Sequence, residues 1–245
     1  MTFFKILILY FSRSGYNYYN GRIVHLDVGN TKANALILQN ITKGDICEVV
    51  PVNPYPVQYQ ECTEIAKIEK EQNSRPEYRI SCTNVTSYDL IFLGHPIWWG
   101  TFPMVVHKFL EDYDLGHKNI AHFVTHEGSG FGTSQTDLRN KLPNAKYVSG
   151  INTRGGQVNT SISSFEAWVS AIFRELNVTN NNDGIGNNDG NNDEENGNGN
   201  VNPNKSLKPG EIAGIVVGCA AFVVIVIMVI VFVVLRKKKQ NVTTE

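Results

Sequence analysis

The chain has 245 residues, of which 42% are hydrophobic and 18% charged, and its formal net charge at pH 7 is −1. This length has room for one or two domains that bury a sizeable core. Because the charge is nearly balanced, the sequence lacks the basic excess on which nucleic-acid binding depends, and we expect no nucleic-acid partner.

Buried strands and amphipathic helices alternate along residues 1–175. The strands are predicted at residues 5–11, 46–50, 88–94, 119–125 and 146–151. The helices are predicted at residues 31–40, 58–72, 102–110, 133–141 and 161–175. Such alternation predicts right-handed crossovers and a parallel sheet with helices packed on both faces.

Three loops that follow predicted strands have unusual sequences: "FSRSGYNYYNGRIVHLDVGNTKANAL" (11–36), "GHPIWWGTFP" (94–103) and "THEGSGFG" (125–132). In such a sheet, ligands bind beyond the carboxyl ends of the strands, near the point where the strand order reverses. Each loop also has a simpler interpretation, since Trp98 and Trp99 could be core aromatics and the Gly-rich loop a flexible turn. Together, the loops predict a site for a planar heteroaromatic ligand whose phosphate lies at a helix N-terminus.

The first of these loops carries an insert between Ser12 and Asn30. Within the insert, Asn20-Gly21 separates "YY" from "RIVHL", and Asn-Gly is the preferred pair for the two-residue turn of a hairpin. We therefore predict a small hairpin beside the ligand. Asn17 and Tyr18, at its base, are candidates for further ligand contacts, and its tip would shape access to the site.

The composition changes after the last predicted helix. Residues 177–210 are mostly Asn, Gly and Asp, and such a segment cannot bury enough apolar surface to offset the entropy lost on ordering. Residues 212–235 are apolar throughout, and a helix of that length can cross a bilayer. The sequence therefore predicts a globular domain (1–175), a disordered linker (176–211), one C-terminal transmembrane helix (212–235) and a short basic tail (236–245).

Two signals conflict over the orientation in the membrane. The N-terminus lacks the features of a secretory signal, which favours a single-pass tail-anchored protein whose domain faces the cytosol. The basic "RKKK" after the apolar run favours the reverse orientation, because basic flanks stay on the cytosolic side. The domain would then face outward, with N-glycosylation sequons headed by Asn40, Asn84, Asn159, Asn177 and Asn204. We expect the tail-anchored form; which membrane carries it is not indicated.

The cysteines agree with a cytosolic domain. Cys47, Cys62 and Cys82 form an odd set without metal-ligand spacing, and Cys219 lies within the predicted span. Cytosolic thiols are kept reduced. We therefore expect small buried or idle thiols and no metal site.

Four stretches of the domain resemble the flavodoxin-like FMN proteins found widely in bacteria. They are "YFSRSGYNYYNGRIVHLDVGNTKANA", "VVPVNPYPVQYQECTEIAKIEKEQNSRPEY", "YDLIFLGHPIWWGTFPMVVHKFLEDYD" and "THEGSGFGTSQTDLRNKLPNAK". The similarity runs from about residue 3 to residue 172, and a subgroup of the family shares the insert in the first loop. The resemblance implies a flavodoxin-like three-layer α/β sandwich, with a five-stranded parallel sheet in the order 2-1-3-4-5 and FMN at its carboxyl edge.

The resemblance also implies site residues, which fall into one group for each loop. The FMN phosphate would be bound by Ser12, Asn30 and Thr31. The loop over the ribityl chain and one edge of the isoalloxazine would be formed by Pro96, Ile97, Trp98, Trp99 and Gly100. The third loop would approach the pyrimidine edge and N5 through Thr125, His126, Glu127, Gly128, Ser129 and Gly130.

A few further residues have less certain roles under the resemblance. Arg154 with Gly155 matches an Arg-Gly pair near the family's site, whereas the role of Gln157 stays open. His95 is expected to be a packing or loop residue rather than an acid or base. His126 beside Glu127 is either a structural part of the third loop or a proton relay, and the structural role is favoured.

A bound flavin would carry the chemistry, so no catalytic side chain is expected. The favoured hypothesis is an FMN-dependent oxidoreductase that takes electrons from NAD(P)H and reduces quinones, nitro compounds or oxygen in a ping-pong scheme. The alternative is a membrane-anchored flavodoxin-type carrier that exchanges single electrons with a redox protein, which would favour an acidic docking face that this chain lacks. A third hypothesis is a flavin-fold scaffold without turnover. Gly214 and Gly218 have the spacing of a helix-pairing motif, so a homodimer is also possible.

Overall fold

The computed structural model, which describes residues 4–178, contains a seven-stranded sheet built from the apolar runs of the sequence, and a separate two-stranded sheet formed by Gly15–Tyr19 and Arg22–Leu26. The strands are β1 Ile6–Tyr10, β2 Gly15–Tyr19, β3 Arg22–Leu26, β4 Asp45–Pro51, β5 Tyr78–Ile80, β6 Leu90–Pro96, β7 Asn119–His126, β8 Lys146–Tyr147 and β9 Ile151–Arg154. The helices are α1 Asn30–Thr42, α2 Tyr59–Glu71, α3 Met104–Asp112, α4 Ser134–Lys141 and α5 Ile162–Glu175, and 3₁₀ turns lie at Val85–Ser87 and Gly155–Thr160. None of the helices in this part of the chain is both long and apolar enough to cross a membrane.

The predicted transmembrane helix and basic tail, and all but the first residues of the predicted linker, lie outside residues 4–178. Their assignment therefore stays a prediction from the sequence.

The parallel strands lie in the predicted order. The sheet runs β5-β4-β1-β6-β7-β8, and β9 also pairs with β7, so the predicted order 2-1-3-4-5 corresponds to β4, β1, β6, β7 and the β8–β9 position. Two details differ from the prediction. The fifth strand is broken into β8 and β9, and β5 adds an antiparallel edge strand beside β4. A strand of three residues is too short to give a periodicity signal in the sequence.

The sheet has one hydrophobic core on each face. Successive residues of β1 point to opposite faces, so Leu7 and Leu9 belong to the core with α3, whereas Ile8 and Tyr10 belong to the core with α1 and α5. All four side chains are buried. The helices on both faces thus complete the predicted three-layer sandwich.

Cys47 and Cys82 form a disulfide bond, with Cα atoms 5.4 Å apart, so the expectation of idle thiols is wrong for this pair. The edge strand explains the pairing. Val49 of β4 lies opposite Ile80 of β5, and extending this antiparallel register by two residues brings Cys47 opposite Cys82. Cys62 is the free cysteine in the described residues, and it is buried.

Two histidines form a buried pair between β6 and β7. His95 and His122 are 0% and 3% exposed, and their Nε2 atoms are 2.7 Å apart. Nδ1 of His95 donates to the carbonyl oxygen of Pro96 (2.9 Å), so its Nε2 accepts from Nε2–H of His122. Burial lowers the pKa of His95 to about 4 and lowers that of His122 well below its usual value. The pair is therefore neutral, and His95 packs in the core as predicted.

Candidate functional site

A cavity of about 300 Å³ lies at the carboxyl ends of β1, β6 and β7. This is the edge at which all three unusual loops meet, because parallel strands end on the same side of the sheet. The cavity is lined by residues of these loops and of α2: Ser12, Arg13, Asn17, Tyr18, Asn30, Thr31, Tyr59, Cys62, Thr63, Ala66, Pro96, Ile97, Trp98, Trp99, Thr125, His126 and Glu127.

One end of the cavity is formed by the start of α1. Gly29 precedes the helix in an extended conformation, and neither a capping side chain nor an acidic residue occupies the first turn. The first N–H groups of a helix have no intrahelical acceptor, and with the helix dipole they favour an anion. Oγ of Ser12 accepts from the backbone N–H of Lys32 (3.1 Å), which leaves the Ser12 hydroxyl proton free to donate.

The two residues that follow Gly29 connect this end to the third loop. The hydroxyl of Thr31 is 2.7 Å from that of Thr125, and both side chains are buried. A Cβ on Gly155 would lie 2.5 Å from Nδ2 of Asn30 and 2.2 Å from Oε1 of Glu127. A side chain at position 155 would therefore have to displace the side-chain ends of Asn30 and Glu127, and the glycine of the Arg-Gly pair leaves them in place.

Glu127 is the carboxylate on the cavity wall. Its Oε2 accepts from the backbone N–H of Asn20 (3.0 Å) and lies 3.7 Å from Nε of Arg154. Its Oε1 is buried and has no partner among the described residues. A buried acceptor without a donor is costly, so this atom favours a ligand that brings an N–H or O–H group.

His126 holds the third loop in shape. Its Nδ1 accepts from the backbone N–H groups of Gly128 (2.9 Å) and Gly130 (3.1 Å), so the ring proton is on Nε2, which donates to Oδ1 of Asn152 (3.0 Å). Both ring nitrogens are thus engaged in structural contacts. This arrangement supports the structural role predicted for His126 rather than a proton relay.

The second loop contains a tight turn with an unusual backbone. Trp98 and Thr101 exchange two backbone hydrogen bonds, and the residues between them, Trp99 and Gly100, have φ of 50° and 87°. A bulky residue with positive φ is strained, and such strain tends to occur at functional sites. The ring of Trp99 is 49% exposed, and its indole N–H donates to the carbonyl oxygen of Thr63 in α2 (2.9 Å).

Trp98 combines the two roles that the sequence left open. Its ring packs edge-on against Phe11 and Tyr55, with centroid distances of 5.4 Å and 4.9 Å, as a core aromatic would. It also lines the cavity. The Trp98 ring therefore forms a rigid part of the cavity wall, because its contacts with Phe11 and Tyr55 hold it in place.

The predicted hairpin is present as β2 and β3, with Asn20 and Gly21 (φ 51° and 85°) at the turn. Near the turn, the ring of Tyr18 lies 6.2 Å from that of Tyr59 in α2, and the backbone N–H of Asn20 donates to Oε2 of Glu127. The hairpin thus connects α2 with the third loop and covers part of the cavity.

Arg13 fixes the hairpin to the segment before α2. Its guanidinium donates to the carbonyl oxygens of Pro56, Val57 and Tyr16, at distances between 2.5 and 3.1 Å. Burial lowers the pKa of this guanidinium, and the ring of carbonyl oxygens supplies the acceptors that compensate. Arg13 therefore holds the loop in shape, a role that was not predicted from the sequence.

The wall supplied by α2 was also not predicted. Tyr59, Cys62, Thr63 and Ala66 face the cavity. The sequence shows Cys62 and Ala66 only as one apolar stripe, which predicts a core-facing side. Burial raises the pKa of the Cys62 thiol to about 11, so this thiol is neutral at physiological pH.

Most predicted site residues line the cavity, but a few do not. The exceptions are Gly100, Gly128, Ser129, Gly130 and Arg154. Gly128 and Gly130 turn their N–H groups toward His126, and the carbonyl oxygen of Gly100 accepts from the backbone N–H of Thr133 (2.7 Å). These residues shape the loops in the structure, and their direct contacts with a flavin stay predictions.

The site fits the FMN that the sequence predicts. The start of α1, which has no acidic residue in its first turn, suits the phosphate. The buried Oε1 of Glu127, which has no donor among the described residues, suits a donor of the ribityl chain or ring, and Trp98 provides an aromatic wall. The residues that would hold the cofactor are therefore those at the end of β1, at the start of α1 and in the second and third loops.

Comparisons with solved structures agree with this fold. A protein assigned as a flavoprotein from Bacteroides eggerthii is similar over 69% of this chain and 97% of its own, with 27% identity and a TM-score of 0.55. A second, from Bacteroides uniformis, covers 69% of this chain and 99% of its own, with 21% identity and a TM-score of 0.54. A flavoprotein from Lactobacillus acidophilus, solved in complex with FMN, has 19% identity over 66% of this chain and 97% of its own, with a TM-score of 0.49.

A comparison with curated proteins gives no match. The family model described as flavodoxin matches residues 5–172, which include every strand and almost all of the helical residues of the described part. That match, with the sheet order and the cavity at its carboxyl edge, identifies the family: the chain belongs to the flavodoxins.

Proposed function

We propose that this protein is an FMN-dependent oxidoreductase that takes electrons from NAD(P)H and reduces small planar acceptors such as quinones or nitro compounds, while tethered to a membrane through residues 212–235. The observation that carries the proposal is the form of the cavity, which has an anion-binding end at α1 and exposed aromatic rings at its rim. Bound FMN supplies the redox chemistry, accepting electrons from the donor and passing them to the acceptor.

The side chains and backbone groups of the protein would bind the cofactor and orient it. The hydroxyl of Ser12 and the first N–H groups of α1 would hold the phosphate, and the Thr31–Thr125 contact fixes the start of α1 against β7. Arg13 ties the hairpin and the segment before α2 to the loop after β1, and this holds the walls of the cavity in place. No side chain needs to act as an acid or base in this scheme.

The rim of the cavity favours a small planar acceptor. Tyr18 and Trp99 are 41% and 49% exposed, and Nζ of Lys67 lies 5.9 Å from the centroid of the Trp99 ring. Large exposed aromatic rings beside a cavity are typical of sites that bind a flat ring by stacking. Donor and acceptor would use this one opening in turn.

The second candidate is a membrane-anchored carrier that exchanges single electrons with a protein partner. A rigid exposed ring such as Trp99 also suits a docking surface, which is the observation that favours this candidate. The balanced charge of the chain argues against it, since steering between redox proteins works through strongly charged faces. Dimerisation, through the predicted span or the domain, stays a prediction.

The test uses the full chain reconstituted with FMN. We expect a visible flavin spectrum, and oxidation of NADH or NADPH that depends on a quinone or nitroaromatic acceptor. Tyr18→Ala should raise the KM for the acceptor several-fold while FMN stays bound. Tyr16→Ala, which changes the same strand of the hairpin outside the cavity lining, is the control.

Three results would contradict the proposal in different ways. A chain that never retains FMN would contradict any flavin function. A flavin-loaded chain that ignores both nicotinamide nucleotides but is reduced by a redox protein would favour the carrier. Equal KM values for the acceptor in Tyr18→Ala and Tyr16→Ala would show that Tyr18 does not contribute to acceptor binding.

A further inference from the structure

The sequon asparagines share a structural property. In residues 4–178, each asparagine that heads an N-x-[ST] sequon is exposed, namely Asn40, Asn84, Asn159 and Asn177. A folded domain can carry a glycan only on an asparagine whose side chain reaches solvent, and these four meet that condition.

The disulfide is a second, independent observation. Cys47 and Cys82 are separated by 35 residues, and Cys47, a residue of β4, is part of the buried core. Disulfide bonds form and persist in oxidising compartments and are rare in the cytosol. The pairing therefore removes the argument that the cysteines gave for a cytosolic domain.

We propose that the flavodoxin domain faces the oxidising, lumenal or extracellular side of its membrane and carries N-linked glycans at Asn40 and Asn84. This is the second of the two orientations that the sequence leaves open. It also agrees with the basic run after residue 235, which the positive-inside rule keeps cytosolic.

The positions of these two asparagines are compatible with the site. Asn40 lies in the last turn of α1, which begins at the carboxyl edge of the sheet and ends at the amino edge. Asn84 precedes the 3₁₀ turn that leads to the start of β6, also at the amino edge. The strands between the two edges are about 17–20 Å long, so glycans at both positions leave the cavity accessible.

Two covalent steps are implied. The two thiols lose two protons and two electrons to the disulfide of an oxidising dithiol catalyst, which is reduced to the dithiol. In glycan transfer, Nδ2 of the asparagine loses a proton and bonds to C1 of an oligosaccharide carried on a lipid pyrophosphate. The C1–oxygen bond to that carrier breaks, and the lipid pyrophosphate leaves.

The test expresses the full chain in a eukaryotic cell and compares its electrophoretic mobility before and after treatment with a peptide N-glycosidase. We expect the treatment to increase the mobility. Thr86→Ala removes the Asn84 sequon, so before glycosidase treatment this variant should migrate faster than the wild type by the mass of one glycan. Thr86→Ser keeps the sequon and should migrate like the wild type. Because Thr86 is exposed, neither substitution disturbs the core.

Thiol labelling of the denatured, unreduced chain gives a second readout. We expect labels on Cys62 and Cys219 only. Unchanged mobility after glycosidase treatment, or labels on Cys47 and Cys82, would overturn the proposal and return the tail-anchored cytosolic orientation. The inference does not rest on the proposed reaction, which would need NAD(P)H on the same side of the membrane as the domain. Because glycosylation and thiol labelling are read without any turnover, either proposal can fail without the other.

Discussion

Acid should destabilise this fold through the buried histidine pair. The pKa of His95 is lowered from 6.5 to about 4 by burial, and that of His122 is lowered as well. A shift of this size corresponds to about 3 kcal/mol for one histidine, at about 1.4 kcal/mol per pH unit. Because the unfolded chain binds the proton more readily, the stability is fully present above pH 6.5 and is lost as the pH falls toward 4.

At pH 5, His95 should cost about 2 kcal/mol relative to neutral pH, and His122, whose pKa burial also lowers, should add a loss of the same sign. This is a substantial part of the ordinary stability of a domain, which is about 5–15 kcal/mol. The proton has no favourable position in the pair, because Nδ1 of His122 is buried and lacks a partner among the described residues. His107, whose pKa is also lowered to about 4 by burial, adds to the same trend.

The assay is urea unfolding, followed by tryptophan fluorescence, at pH values from 7 to 5. His122→Phe should lower the stability at pH 7 by about 1–3 kcal/mol, because it leaves Nε2 of His95 without a donor. It should also reduce the slope of stability against pH by up to about 1.4 kcal/mol per unit. His117→Gln, at an exposed position, should leave the slope unchanged. An identical slope in wild type and His122→Phe would refute the reasoning.

Two further predictions concern the phosphate end and the disulfide. In Gly29→Ala the new Cβ would lie 2.3 Å from the carbonyl oxygen of Arg13, so FMN binding in a fluorescence titration should weaken at least about tenfold. Gly116→Ala, whose Cβ would approach no atom closer than 3.1 Å, should bind FMN normally, and equal affinities would contradict the steric argument. Cys82→Ser, which leaves Cys47 unpaired, should lower the free energy of unfolding by about 2–4 kcal/mol. A reductant should have the same effect on the wild type and none on the variant; an unchanged midpoint in reduced wild type would count against a stabilising bond.

The main strands could be predicted because each is covered on both faces. β1 and the first four residues of β6 are continuous apolar runs, and the hairpin has the Asn20-Gly21 signal of a two-residue turn. The edge strand β5 has no such signal, since only three residues pair with β4. The disulfide depends on β5, so it could not be predicted before that strand was known.

The site could be predicted where it depends on chain position alone. Ser12 and Thr31 follow from the end of a strand and the start of a helix, which meet wherever β1 leads into α1. The wall from α2 depends instead on where that helix lies over the sheet edge. An apolar stripe such as Cys62 and Ala66 looks the same in the sequence whether it faces a core or a cavity. The acceptors of Arg13 are backbone carbonyl oxygens. Every residue has such an oxygen, so these contacts cannot be predicted from residue types.

The disulfide also divides the molecule into exchangeable parts. Cys47 and Cys82 lie at the two ends of the segment that contains α2, the helix whose side chains form one wall of the cavity. The phosphate end of the cavity lies outside that segment. Because a covalent bond joins its two ends, this segment can be exchanged as one unit. Replacing it with the equivalent segment of a relative would change the wall of the cavity that α2 forms, while the three cofactor loops keep their sequence.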